Sequence, residues 1–246
     1  MPPDRLSTRS VTYRSCLLAL AWVVITAALI GLGQLVVHVH AIADFDRHVT
    51  QWAVDHRTPA LDTAMRVITW IGSWVTVAVV AAVVLVLTLT KRTTTTALLL
   101  VAIAWAGEFA AVNLVKHAVG RTRPPRSLWL VSAHGASFPS GHAANATLVC
   151  TVVVVIVFLL SSRHPVRVTA VVLGCLVVVG VGFSRIELGV HWTTDVVAGC
   201  LLTLTWLAAL GTLIAAAAPL VAPDPDAGTG VPGVDRSGSD PTSDMR

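Results

Sequence analysis

The chain has 246 residues, 55% of them hydrophobic and only 12% charged, with a net charge of +4. The charged share is about half that of a soluble domain, and the mean hydropathy is +0.78. These values exclude an ordinary soluble enzyme, and the dominance of Val, Leu and Ala excludes a disordered scaffold. An all-α polytopic membrane protein fits, with one membrane domain and little else, since each crossing uses about 20 apolar residues.

Residues 1–15 carry Arg5, Arg9 and Arg14 and read as a cytoplasmic N-terminal segment. Six apolar runs follow, at 16–37, 68–90, 97–115, 143–160, 166–183 and 196–217, and together they define a six-span membrane domain over 16–217. Each is long enough to cross about 30 Å at about 1.5 Å per residue. The first run is followed by Ala41, Ile42 and Ala43, which resemble a cleavage site. It exceeds the roughly 7–15 apolar residues of a signal peptide core and is read as a retained anchor. His38 and His40 alternate at its end, a spacing that suits interfacial packing better than a metal pair.

The segment 38–67 interleaves Asp44, Asp46, Asp55 and Asp62 with apolar residues and predicts a short surface helix or ordered loop outside the membrane. The threonines at 93–96 enter a helix after Lys91 and Arg92. Trp70, Trp74, Trp129 and Trp192 read as interface anchors, with Trp192 also placed to line an acyl entrance. Cys16, Cys150, Cys175 and Cys200 lie in or at the ends of apolar runs without C-x-x-C spacing and read as packed or lipid-facing thiols. From 218 to 246 the chain is rich in Pro, Gly, Asp and Ser and predicts a disordered C-terminal tail. Basic residues sit in connectors rather than along one amphipathic face, so nucleic acid is not an expected partner.

Lys and Arg divide almost evenly between the two sides of a six-span arrangement. If the cluster from Lys116 onward serves a site, the remaining cations place both termini in the cytoplasm. The scarce polar residues then converge on two connectors. One runs from Lys116 through Arg121, Arg123, Pro124, Pro125 and Arg126 to Ser137, Pro139, Ser140, Gly141 and His142. The other holds Ser184, Arg185, Glu187, His191, Trp192 and Asp195. Two crossings separate them, so both open on one face and can form one pocket.

Lys116, Arg123 and Arg185 suit a tetrahedral oxyanion, and the amides of Ser140, Gly141 and His142 at a helix start add donors for the same oxygens. His191 and Asp195 are four residues apart, so on a helix the carboxylate holds one ring nitrogen and leaves the other free to attack. His142 is placed to protonate a departing alkoxide. Each motif alone is a common cap, turn or positive loop; their convergence on a domain starved of polar groups carries the functional reading. Zinc on His142, His191 and Asp195 is the chemical rival, disfavoured because three fixed cations repel a divalent ion. No metal or other cofactor is expected. Glu108 and Asn113 fall inside the third span, where an acid serves either an internal hydrogen bond or the pocket mouth. Arg121 and Arg126 read as parts of a solvated loop, with a second phosphate or lipid head groups as the other option, and His134 as a candidate substrate contact.

These residues resemble the three-part motif of the type 2 phosphatidic acid phosphatase superfamily, shared with vanadium haloperoxidases. Lys116, Arg123 and Pro124 match the first part, residues 139–142 the second, and Ser184, Arg185, His191 and Asp195 the third. The resemblance implies a six-helix membrane bundle and a phosphohistidine intermediate on His191, with leaving-group protonation by His142. It also implies metal-free phosphate binding by Lys116, Arg123, Ser140, Gly141 and Arg185. The expected function is hydrolysis of a lipid phosphate, phosphatidic acid-like, at the extracytoplasmic face of a bacterial cell membrane. Two alternatives are a polyprenyl diphosphate phosphatase recycling a cell-wall carrier lipid, and a non-catalytic lipid-phosphate binder or transporter.

Overall fold

The computed structural model describes residues 4–221, and side chains within 16–216 except that of position 18. The described residues form eight helices and two short 3₁₀ turns: α1 (Asp4–His38), α2 (His40–Asp55), α3 (Pro59–Thr69), α4 (Trp74–Leu89), α5 (Thr95–Val119), α6 (Gly141–Leu160), α7 (His164–Glu187) and α8 (Thr193–Val221). α1 includes residues assigned above to the N-terminal segment, which continue directly into the first span. α8 extends to Val221, slightly beyond the expected span end, and 222–246 lie outside the described residues.

Five helical stretches are long and apolar enough to cross a membrane: Ala19–His38, Thr95–Val119, Gly141–Leu160, His164–Glu187 and Thr193–Ala216. The run expected over 68–90 is not a straight helix. Here α3 and α4 are joined through a 3₁₀ turn at Trp70–Gly72 and bent by 45°, and the pair makes a sixth crossing when counted as one span. The bend is held from outside the run. Asn145 of α6 donates to the Gly72 carbonyl at 3.1 Å. A Cβ on Gly72 would meet the His142 carbonyl oxygen at 2.6 Å and Val181 at 2.7 Å, so only glycine admits this approach.

α6 packs between α7 and α8, while α1 lies along α8. Small residues set the α6–α8 crossing: Ala143, Ala144, Ala146 and Ala198 are fully buried, and a side chain on Gly199 would strike the Ser140 carbonyl. Close backbone approach through small residues is how helices associate where lipid removes the hydrophobic drive. Many large side chains along the spans, such as Leu114, Leu159, Leu176 and Val179, point outward, as a lipid solvent allows.

The 38–67 segment forms two helices rather than one helix or loop. α2 buries Asp46, Thr50 and Ala53 and contacts α7 and α8. Thr58 caps α3 by accepting from the Leu61 amide at 3.2 Å, with Pro59 in the first turn, where its missing N–H costs nothing. Met65 of α3 then joins Leu188 and Val190 in a small core beneath the connectors. This core seats the amphipathic helices against the end of the bundle that carries the polar residues.

Candidate active site

All three motif segments meet at one end of the bundle. Lys116 lies in the last turn of α5, His142 in the first turn of α6, Arg185 in the last turn of α7 and Asp195 in the first turn of α8. The connectors are stitched together through the backbone. Ser140 N–H donates to the Asp195 carbonyl at 2.9 Å, Leu130 N–H to the Leu188 carbonyl at 3.0 Å, and Ser137 N–H to the Arg121 carbonyl at 2.8 Å.

His191 is 2% exposed and sits between opposite charges. Its Nδ1 lies 3.4 Å from Asp195 Oδ2, and its Nε2 lies 3.0 Å from Arg123 Nη1. A proton on Nδ1 satisfies both contacts, because Nε2 then keeps a lone pair toward the guanidinium. Asp195 is saturated with donors: Arg121 Nη1 on Oδ1 at 2.6 Å, and the Trp192 amide at 2.9 Å with the Ser137 hydroxyl on Oδ2.

Lys116 and Arg123 are held by carbonyl oxygens rather than by acids. Lys116 Nζ donates to the Ala136 carbonyl at 2.7 Å. Arg123 donates to the carbonyls of Val190, His134 and Gly135 at 2.7, 2.9 and 3.1 Å, so His134 serves the site through its backbone. Burial draws the Arg123 guanidinium down from its ordinary value, opposed by the charge of Asp195. Arg185 is 4% exposed and donates to Thr69 Oγ1 at 2.8 Å, while its Nε has no partner among the described residues. Arg185 and His142 share a cavity of about 390 Å³ whose other walls include Thr69, Trp70, Ser73, Trp74 and Ser132. Arg185, His191, Arg123 and Lys116 all exert their charge on His142.

Several sequence expectations change here. The Ser140 amide is committed to the Asp195 carbonyl, which removes it from the donors assigned to an anion. The Ser140 side chain, fully buried, accepts from the Ala143 amide at 3.5 Å as the cap of α6. The amides of Gly141 and His142 remain among the helix-start groups that have no intrahelical acceptor. Arg121 is not part of a solvated loop: its guanidinium binds Asp195, Thr194 and Asp46. Trp129 and Trp192 brace the first connector by donating to the Pro124 and Thr122 carbonyls, each at 2.9 Å, whereas Trp70 and Trp74 are exposed. Glu108 is buried in α5, away from the cavity lining, with Oε1 unpartnered among the described residues. Among the described residues Asn113 bonds only its own helix, at the Phe109 carbonyl. No three His, Cys, Asp or Glu side chains among the described residues are grouped to hold a metal ion.

The sequence assigns no site role to Asp46, Ser137, Thr69 or Arg57. Arg57 reaches from the α2–α3 turn to the carbonyls of Leu128 and Glu187 and so clamps both connectors. Nothing marks it in advance, since it is one of three arginines among the four aspartates of 38–67.

Burial pushes the His191 imidazole down from its ordinary 6.5 to about 4, against the upward pull of Asp195. The unfolded chain therefore binds the proton more tightly than the folded one. This ring's contribution to stability is intact above pH 6.5 and is lost as pH falls from there toward about 4. Long-range ¹H–¹⁵N spectra of histidine-labelled protein should show the His191 ring neutral, protonated on Nδ1, until pH about 4. A transition near 6.5, as for a solvated ring, would contradict this environment.

Comparison with known proteins agrees with the geometry. The sequence model of the PAP2 superfamily matches residues 96–217, which include every motif position. Phosphatidylglycerophosphatase B of Bacillus subtilis is 29% identical over 168 residues, 66% of this chain and 80% of the relative. The crystal structure of a transmembrane PAP2-type phosphatidylglycerolphosphate phosphatase from Bacillus subtilis aligns with a TM-score of 0.68 and 26% identity, covering 78% of this chain and 94% of that one. LpxE of Aquifex aeolicus shares the fold at a TM-score of 0.50 and 23% identity, covering 68% and 93% of the two chains. The chain matches the PAP2 superfamily model over residues 96–217 and is homologous to PAP2-type phosphatases, which makes it a multi-pass membrane phosphatase of lipid phosphates.

Proposed function

We propose that the enzyme hydrolyses a lipid phosphomonoester through a phosphohistidine on His191, at the extracytoplasmic face of a bacterial membrane with both termini in the cytoplasm. The observation that carries this reading is the placement of His191: Nδ1 faces Asp195 and Nε2 faces the cation cluster. Lys116, Arg123 and Arg185, with the Gly141 amide, hold the phosphoryl oxygens. Their fixed charge stabilises the group as it transfers. The arriving dianion offsets the cations around His142 and lets that ring hold a proton.

Nε2 then forms a bond to phosphorus as the phosphorus–oxygen bond to the lipid breaks, and His142 gives its proton to the leaving oxygen. Water next attacks phosphorus, His142 takes its proton, the N–P bond breaks and inorganic phosphate departs. Residues 16–217 form the domain that performs these steps, with 1–15 and 218–246 as flanking segments.

A monoester fits better than a polyprenyl diphosphate. The leaving group occupies the cavity beside His142, which offers the hydroxyls of Thr69, Ser73 and Ser132 but, among the described residues, no cation besides the phosphoryl-binding Arg185. A departing phosphate would need a second cation there. The name of the Bacillus relative makes phosphatidylglycerophosphate a substrate to assay beside phosphatidic acid. A non-catalytic binder is set aside by the intact motif and the phosphatase relatives.

Purified protein in detergent with excess chelator should release phosphate from dioctanoyl phosphatidic acid or phosphatidylglycerophosphate faster than from farnesyl diphosphate. Preference for the diphosphate would select the carrier-lipid reading. Complete loss in chelator, restored by zinc, would overturn the metal-free mechanism.

A further inference from the structure

We propose that Asp46, on α2, is a positioning residue for phosphoryl transfer, acting through Arg121 to set the net charge that Asp195 presents to His191. The inference rests on His191 as nucleophile. Asp46 is fully buried, although α2 carries no group that lines the cavity. Its carboxylate accepts the Thr194 amide at 3.0 Å, the Thr194 hydroxyl at 2.5 Å and Arg121 Nη2 at 2.7 Å. The other terminal nitrogen of the same guanidinium donates to Asp195 Oδ1 at 2.6 Å and to Thr194 Oγ1 at 2.8 Å. Asp46, Arg121, Asp195 and His191 therefore form one chain of contacts. Asp46 also caps the start of α8, the helix that carries Asp195. It lies outside the residues that the family model matches.

The charges decide what this chain does. As Nε2 bonds to phosphorus, the His191 ring becomes an imidazolium and needs a net negative neighbour. Arg121 and Asp195 alone sum to zero. Asp46 balances Arg121 and returns a net charge of −1 to the group facing the ring. Without Arg121, two buried carboxylates lose the cation between them, and one takes up a proton or is pushed from its place. Without both Asp46 and Arg121, Asp195 alone again presents −1. The two side chains should therefore compensate for each other's loss, which a purely structural pair would not do.

The test is kcat and KM for dioctanoyl phosphatidic acid in detergent micelles, with thermal unfolding as a check on the fold. Asp46→Asn and Arg121→Gln should each lower kcat by about tenfold or more, the fold-change expected for residues coupled in one network. KM should stay close to wild type, since neither side chain lines the cavity. The double variant should regain most of the loss and exceed both single variants. Wild-type kcat in Asp46→Asn, or a double variant slower than either single one, overturns the proposal. If Asp46→Asn does not fold, Arg121→Lys decides: by keeping the charge it should retain more kcat than Arg121→Gln, and equal losses refute the charge argument. Wild-type phosphate release by His191→Ala would instead remove the nucleophile assignment, and this inference with it.

Discussion

Replacing His191 by alanine should abolish the phosphoenzyme and reduce phosphate release by roughly 10⁴-fold or more, in line with the loss of a nucleophile from a cooperating catalytic group. The variant should still fold. Asp195 keeps Arg121, the Trp192 amide and Ser137 as partners when the ring is gone, so no buried charge is orphaned. Rapid quenching with ³²P-labelled lipid would read the outcome, because an N–P bond is cleaved by acid and survives base. Normal labelling of the variant would refute the assignment. His142→Ala offers the contrast. With 4-nitrophenyl phosphate, whose leaving group departs without a proton, that variant should still accumulate label, whereas His191→Ala should not.

The spans and the motif were legible in the sequence for one reason. A chain that must satisfy a lipid solvent has few polar groups, so the helices read as apolar runs and the remaining ionisable residues mark the site. What stayed hidden depends on contacts between distant segments. The bend at Gly72 lies in a run as apolar as its flanks, and its cause is the α6 backbone and Asn145. Arg121 resembles any loop arginine because its partner Asp46 is 75 positions away, in a segment with no motif. The Ser140 amide looked free because a helix start normally leaves it so; the Asp195 carbonyl that takes it belongs to another helix. His142 and Arg185 were correctly placed on one face, but their shared cavity depends on Trp70, Ser73 and Trp74 at the unforeseen bend.

Asp195→Asn should lower kcat by about 10³- to 10⁴-fold while leaving KM nearly unchanged, the expected consequence of holding a catalytic histidine in the wrong tautomer. Four donors converge on this carboxylate: Arg121, Ser137, the Trp192 amide and His191 Nδ1. An asparagine amide has one acceptor oxygen for all of them. With that oxygen on Arg121, its NH₂ faces His191, and the ring answers by moving its proton from Nδ1 to Nε2. The attacking nitrogen then carries hydrogen instead of a lone pair. Arg121 and Asp46 then sum to zero, so the positive ring formed during transfer loses the net negative neighbour that stabilises it. Lys116 and Arg123 keep their carbonyl anchors, so substrate should still bind, although Arg123 Nη1 now meets a hydrogen on Nε2 in place of a lone pair. The ¹⁵N spectrum should place the His191 proton on Nε2 in the variant. A full kcat, or a proton that stays on Nδ1 beside a lost kcat, would show that Asp195 does not act by fixing the tautomer.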